Sequence, residues 1–402
     1  MTIPQKLIAR IKDQSGITVV LVALTMAVLI GFAALAVDIG YTLTTKNELQ
    51  NVADTAALAA TRQLGAIYQT MSYDEQQAYE CDRQTLVDVA TDVAAKNQAG
   101  GMNITIEADD VTIGDWDAST LSLTPMTPTD PRPDAVRVLA RRDGSANGPI
   151  TTFFARIFGI DTVDVSAKAT AALTPQGTSE PGELEAPLGI SAYYFGGDDR
   201  CNDDIKFSPT GDPDACAGWT SFTETPPSND NIEFILQGLI ESPATTAGET
   251  IFEFTGGDHA SLFNPLLTLF QHRGYDVYED GTPILGPDGE PLVYAGEDGV
   301  PLNDAEGNRL YYPDYPDGTT PGPPRNKHVW TTTVAVYDLD TCDNPNTSIG
   351  IGGYTTITIT DVLGPPDNLI EGVVVCEMVD SEDNRGGGGK YGTNSPIPNL
   401  VE

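Results

Sequence analysis

His259, His272 and His328 are the residues best suited to acid–base or metal chemistry, and their spacing supports neither. No HExxH or HxH pattern joins them, so they read as separate surface or core histidines. Asp198, Asp199, Asp203 and Asp204 crowd around Cys201 and offer the oxygen ligands that Ca²⁺ takes, but the EF-hand spacing is missing and they read as a plain acidic loop. No GxSxG, Walker glycine loop or Rossmann fingerprint occurs. The sequence nominates no catalytic, cofactor-binding or metal-binding residue, and no cofactor is expected.

Sulfur chemistry is the remaining possibility. Proximity favours pairing Cys201 with Cys216 and Cys342 with Cys376, although four cysteines allow three connectivities. Each bridge would need an oxidising compartment and would stabilise by roughly 3 kcal/mol in the loop-entropy picture. No CxxC occurs, which argues against zinc or thioredoxin-type redox sites. Cys81 is left over, as a buried thiol or an intermolecular link.

With no reaction centre in view, function must lie in surfaces, and the elements that present them begin with Ile17 to Val37. This stretch is uncharged and about 32 Å long as a helix, enough to cross a hydrocarbon core of about 30 Å. Lys6, Arg10 and Lys12 precede it against Asp13 alone. That bias holds the leader, residues 1–16, in the cytoplasm and puts everything after Asp38 outside the inner membrane, periplasmic or extracellular. Asp38 itself reads as an interfacial residue facing water. Ala23, Ala27 and Gly31 recur every fourth position and form a small-residue face through which the span could self-associate. Leu49, Val52, Ala53, Ala56, Ala60 and Leu64 mark a helical extension over residues 38–65, stopped at Gly65, whose alanine face suits a close neighbour.

The chain has 402 residues, 58 acids against 21 Lys and Arg, and a net charge of −37. A phosphate backbone would repel it, so nucleic acid is not a partner. Hydrophobic content of 40 % can build a core, while 40 Gly and 29 Pro point to many turns. Ser72-Tyr73-Asp74-Glu75 reads as a capping box opening a helix to about Asn97, with Leu86, Val89, Val93 and Ala94 on one side. Alternation then predicts strands at Ile104/Ile106, Val111/Ile113, Val136/Val138 and Val163 to Ala171, with a short apolar helix at Thr151–Phe158. These make a small α+β domain over 70–174. Residues 175–187 read as a linker. Strands at Ile251–Phe254, Trp330–Tyr337, Thr355–Thr360 and Gly372–Cys376, with a helix at Asn231–Ile240, make 188–382 a β-rich, disulfide-containing domain. Repeated Asp-Gly turns (Asp280-Gly281, Asp288-Gly289, Asp298-Gly299) fill an insertion over 276–325. Residues 383–402, with Gly386 to Gly389, read as a flexible tail.

Three stretches carry a family resemblance: Gly16-Ile17-Thr18-Val19-Val20, Gly31 through Val37-Asp38-Ile39-Gly40, and Leu49-Gln50-Asn51-Val52-Ala53-Asp54 through Ala60. Together they resemble the N-terminal segment of TadE/TadG-like proteins, which build Flp pili for tight adherence. Ile113-Gly114-Asp115-Trp116-Asp117, Asp134-Ala135-Val136-Arg137-Val138, Phe153-Phe154-Ala155-Arg156-Ile157-Phe158-Gly159 and Val165 to Ala171 resemble the Tad-like domain that follows it. Some TadG-like chains carry a von Willebrand A domain with a DxSxS metal motif, and the closest stretch here, Asp13-Gln14-Ser15-Gly16-Ile17, lacks the last serine.

The resemblance implies a non-enzymatic, single-pass inner-membrane component of pilus assembly, contacting other Tad proteins or pseudopilins. The alternative is a minor pilin or adhesin that leaves the membrane. Prepilin-type processing after Gly16 would release it, although Leu21 stands where prepilins carry Glu; so would signal-peptidase cleavage at Ala34-Leu35-Ala36. The expected architecture is α+β: a transmembrane helix with a helical extension, a small α+β domain, then a β-rich C-terminal domain.

Overall fold

A computed structural model describes residues 15–402 except 73–74, 77, 127–131, 196–203, 208–215, 225–226, 257–258, 279–282, 284–324, 343–344, 365, 367 and 376–385. Helix and sheet are mixed, as expected. One helix, α1 (Ser15–Tyr68), carries both the apolar stretch and its extension over 54 residues without interruption. Gly65 does not stop it. The first half stands clear of the rest: Val19, Leu24 and Phe32 are 69 %, 64 % and 67 % exposed. The second half is the opposite, with Leu49, Val52, Ala53, Ala56, Ala60 and Leu64 fully or almost fully buried.

The neighbour that covers this alanine face is the chain's own sheet. β1 (Val111–Asp117), β2 (Ser122–Pro125), β3 (Ala135–Arg142) and β4 (Val165–Ala172) join a C-terminal strand in the order 399–400, β4, β3, β1, β2. All pairings are antiparallel, with Val138 opposite Ala169 and Val111 opposite Val138. β4 turns Ala167, Ala169 and Ala171 into the cluster that holds the α1 alanines. Small side chains on both layers let the helix lie close, and Thr61 Oγ1 donates to the Ala171 carbonyl at 3.2 Å. α2 (Arg83–Ala94) packs beside α1 through Leu86, Val87, Ala90 and Ala94. Its cap is Asp82, which accepts from the Gln84 amide, so the helix starts later than the capping box predicts. Glu75 does bond back to the Ser72 amide at 2.9 Å. Ile104 and Ile106 are buried but lie outside any strand.

In the C-terminal unit β5 (Leu188–Ser191), β6 (Asp204–Phe207), β7 (Ala217–Thr220), β8 (Ile251–Thr255), β9 (Tyr275–Tyr278), β10 (Arg325–Tyr337), β11 (Ser348–Leu363) and β12 (Leu369–Val374) form one sheet. Five of them close a ring: β5 pairs β7, β7 pairs β8, β8 pairs β11, β11 pairs β10, and β10 returns to β5 in parallel. Closure gives each of the five ring strands two partners, while β6 and β9 stay at the ends of the sheet. Alternation along β10 sends Val334 and Val336 to one cluster, with Trp219, and Ala335 and Tyr337 to another, with Phe252, Phe254 and Tyr354. α3 (Asn229–Leu236) and α4 (Ala260–Arg273) pack together, α4 setting Phe263 edge-on to Trp219. The Asp-Gly repeats lie between paired strands β9 and β10 and fall outside the described residues.

The disulfide corrects the proximity pairing. Cys216, just before β7, bonds Cys342, in the loop after β10, with Cα atoms 4.4 Å apart. Ring closure brings these segments together although they are far apart in sequence. Cys201 and Cys376 lie outside the described residues. Cys81 is half-buried, and desolvation pushes its thiol up to about 11, so it is a poor nucleophile.

Two segments expected to be loose are held. Within 175–187, Thr178–Ser179 pairs with Thr245–Thr246, while Leu184 and Ala186 are buried. Residues 386–402 run as a strap across both units. The Lys390 amide donates to the Gly352 carbonyl of β11 at 2.7 Å and the Ser395 amide to Thr174 at 3.1 Å. The strap ends in β13 (Asn399–Leu400), antiparallel to β4. Glu402 bonds Arg137 at 2.5 Å and also Lys168. The Lys168 bond, then partial burial that opposes it, then Arg137 leave the Glu402 carboxyl below its ordinary value.

Candidate membrane-proximal site

Asp38 sits one residue past the apolar span and is only 7 % exposed, not facing water as expected. Its Oδ1 accepts the Phe153 amide at 2.7 Å, and its Oδ2 accepts the Phe154 and Ala155 amides at 2.8 and 2.6 Å. These are the otherwise unpaired N–H groups that open the 3₁₀ turn Ala155–Phe158. Gly159 closes that turn at φ 81°, a conformation that favours glycine. Arg156 steadies it by donating through Nε to the Thr152 carbonyl at 3.0 Å.

The rest of the grip comes from the next turns of α1. Tyr41 meets Phe153 edge-on at 5.7 Å and donates its hydroxyl to the Gly100 carbonyl at 3.1 Å. Glu48 accepts the Gly100 amide at 2.6 Å, and Arg142 donates to the Gly100 carbonyl at 3.2 Å. Two loops far apart in sequence are thereby clamped to the helix as it enters the body. The arrangement is a fastener: the Asp38 oxygens are occupied by backbone donors, leaving the carboxylate badly placed to move a proton for a substrate.

Burial pushes the Asp38 carboxyl up, but the three amides and then Arg156 outweigh it and hold the group below its ordinary 3.8. The sign follows: stability from this group is complete above pH 3.8 and is lost as pH falls through the lower folded value. Asp38→Asn should therefore melt earlier than the parent at neutral pH, with the gap narrowing once pH drops below 3.8. Hydrogen exchange at residues 153–155 should quicken at least about tenfold in the variant at neutral pH. Unchanged exchange would remove Asp38 from this role.

The proposed small-residue face, Ala23, Ala27 and Gly31, lies on the bare part of the helix, with open space around Gly31. Ala53, Ala56 and Ala60 are used up inside the body and are not available to another subunit. The histidines stay apart. His259 meets Thr255 at 3.0 Å, and His272 lies in the groove between α3 and α4. His328 joins the buried Asp276 through Nδ1 at 2.8 Å, an acid–histidine pair that could have signalled catalysis. Its Nε2 faces the Phe270 carbonyl at 3.1 Å, so both ring nitrogens are engaged. His328→Ala should destabilise by about 2 kcal/mol, read by thermal melting, because it strands Asp276 in the interior.

A cavity of about 580 Å³ lies where the strap crosses the end of the first sheet, lined by Asp115, Asp134, Thr174, Lys390 and Tyr391 among others. Asp134 accepts the Trp116 amide at 2.7 Å. Desolvation, then the neighbouring Asp115 charge, push its carboxyl well above the usual range. Among the described residues no group of three metal-capable side chains comes together; Asp198, Asp199 and Asp203 fall outside them.

Two family models match the chain. One, described as Flp pilus-assembly TadE/G-like, covers residues 16–63; the other, described as Tad-like Flp pilus-assembly, covers 45–171. Over residues 16–171 the chain is similar to TadE/G-like and Tad-like Flp pilus-assembly proteins. The two Tad matches overlap on the buried half of α1 and stop at the end of β4, short of the C-terminal strand β13 that completes the first sheet. Within these ranges the fold brings Asp38 into direct contact with the Phe153–Gly159 stretch, and pairs the Asp115 and Asp134 stretches as β1 and β3. The Tad match ties the chain to pilus assembly and suggests a structural role. The C-terminal unit lies beyond both. No curated protein and no solved structure matches the chain.

Proposed function

We propose that the chain is a non-enzymatic, membrane-anchored structural component of Flp pilus assembly, with its body held outside the cytoplasmic face of the inner membrane. The observation that carries this reading is α1: one helix whose apolar half is bare and whose alanine half is the core of the Tad-like unit. A membrane segment continued this way holds the body at a fixed height and rotation. The basic leader supports a cytoplasmic N-terminus. Contacts with other Tad proteins or pseudopilins would use the outer surfaces and the bare small-residue face, since the alanine extension is already covered.

Mass spectrometry of the mature N-terminus from separated membrane and pilus fractions tests this. An unprocessed start in membranes is expected. A start at Ile17 in sheared pili would make the chain a minor pilin, and a start at Val37 in the medium a released protein.

A further inference from the structure

The segment that Asp38 fastens is apolar and uncovered. Phe153, Phe154, Ile157, Phe158 and Ile160 are 56 %, 39 %, 78 %, 66 % and 50 % exposed, although they lie on a folded body with a well-filled core. Exposed apolar side chains gathered this densely mark a surface that something covers. Three hydrogen bonds hold the start of this segment to the first residue past the span, within one helical turn of where the hydrocarbon ends. On α1 at the same level Val37, Ile39 and Leu43 are 53 %, 59 % and 57 % exposed. Val37 and Ile39 flank Asp38 in the chain, so the exposed apolar residues of α1 run up to the residue that holds this segment. In a chain of net charge −37, the only ionisable side chain from Thr151 to Ile160 is Arg156, a cation.

We infer that residues 153–160 are a membrane-seated foot, occupied by the headgroup–acyl boundary of the leaflet through which α1 leaves the bilayer. The chemistry fits this occupant. Phenylalanine and isoleucine enter the boundary to a depth of about 5–10 Å, while an exposed arginine reaches phosphate. The body's remaining acidity keeps other faces off the lipid. Because the foot is bound to α1 by Asp38, it would set the tilt of the body against the membrane. The inference rests on the reading that 17–37 spans the bilayer.

The test uses the full chain in nanodiscs of phosphatidylcholine, either plain or brominated at shallow acyl positions. The native Trp116, Trp219 and Trp330 are 8 %, 2 % and 3 % exposed, so the parent should be quenched little. Phe158→Trp, and independently Ile157→Trp, should lose emission at least about twofold in the brominated discs. Phe32→Trp, within the span, is the control for the underlying reading. If Phe32→Trp is quenched and both foot variants behave like the parent, the foot is overturned and the span stands. If neither is quenched, both readings fall. Foot variants unquenched by bromine yet shielded from aqueous iodide would put protein, such as a second copy of this chain, on the patch and would also overturn the lipid assignment.

Discussion

Replacing Cys216 and Cys342 together by alanine is expected to destabilise the C-terminal unit by about 5 kcal/mol, the largest effect of any substitution discussed. The bridge closes a sequence separation of 126, so it removes much of the unfolded chain's freedom. It also joins the start of β7 to the end of β10, two strands that flank β5 in the ring. Ser191 also holds the loop after β10, its hydroxyl donating to the Leu339 and Thr341 carbonyls at 2.6 and 2.9 Å. Thermal melting of the oxidised parent and the double variant measures the effect, and overlapping curves would show that the bridge adds nothing. Peptide mapping should recover Cys216 linked to Cys342, and should do so also in a Cys201→Ala, Cys376→Ala background.

Gly65→Val is expected to cost about 3 kcal/mol or more and to release the strap from α1. A Cβ at Gly65 would lie 2.1 Å from the Pro396 carbonyl oxygen and 2.9 Å from its carbon, and backbone cannot swing aside as a side chain can. Arg62 donates to the same carbonyl at 3.1 Å, so the contact anchors the strap on the helix. Valine inside a helix is tolerated, so helix propensity alone would predict a small effect. Limited proteolysis separates the two accounts. Cleavage within 386–398 at parent concentrations of protease would mean a freed strap; an unchanged pattern would mean that the strap does not need this approach.

The sequence made the long elements legible because their signals are local. The stripe from Leu49 to Leu64 announces a buried helix face, and the alternation from Val165 to Ala171 announces a half-buried strand. What covers the alanine stripe was not legible: a small-residue face looks the same whether its neighbour is another subunit or a sheet whose covering strand, β4, begins about a hundred residues later. Asp38 was hidden for a related reason. An acid at the end of an apolar run is ordinary, and its partners are backbone amides 115–117 residues away, which leave no side-chain signature. The cysteine pairing failed because ring closure, not proximity, decides which loops meet. α4 was missed because Asn264 and Pro265 interrupt its pattern, while Leu262, Phe263, Leu266 and Phe270 supply the buried face.

If the body is exported as proposed, the strap has a consequence for the timing of secretion. In a chain threaded N-terminus first, α1, β3 and β4 reach the far side long before residues 399–402. Until those residues arrive, β4 is an open strand edge, and the Thr170 amide and carbonyl lack the Glu402 and Val401 partners that satisfy them in the finished protein. The unit that emerges first is therefore the last to be completed, and an interrupted translocation would leave it displaying a sticky border that marks the molecule as unfinished.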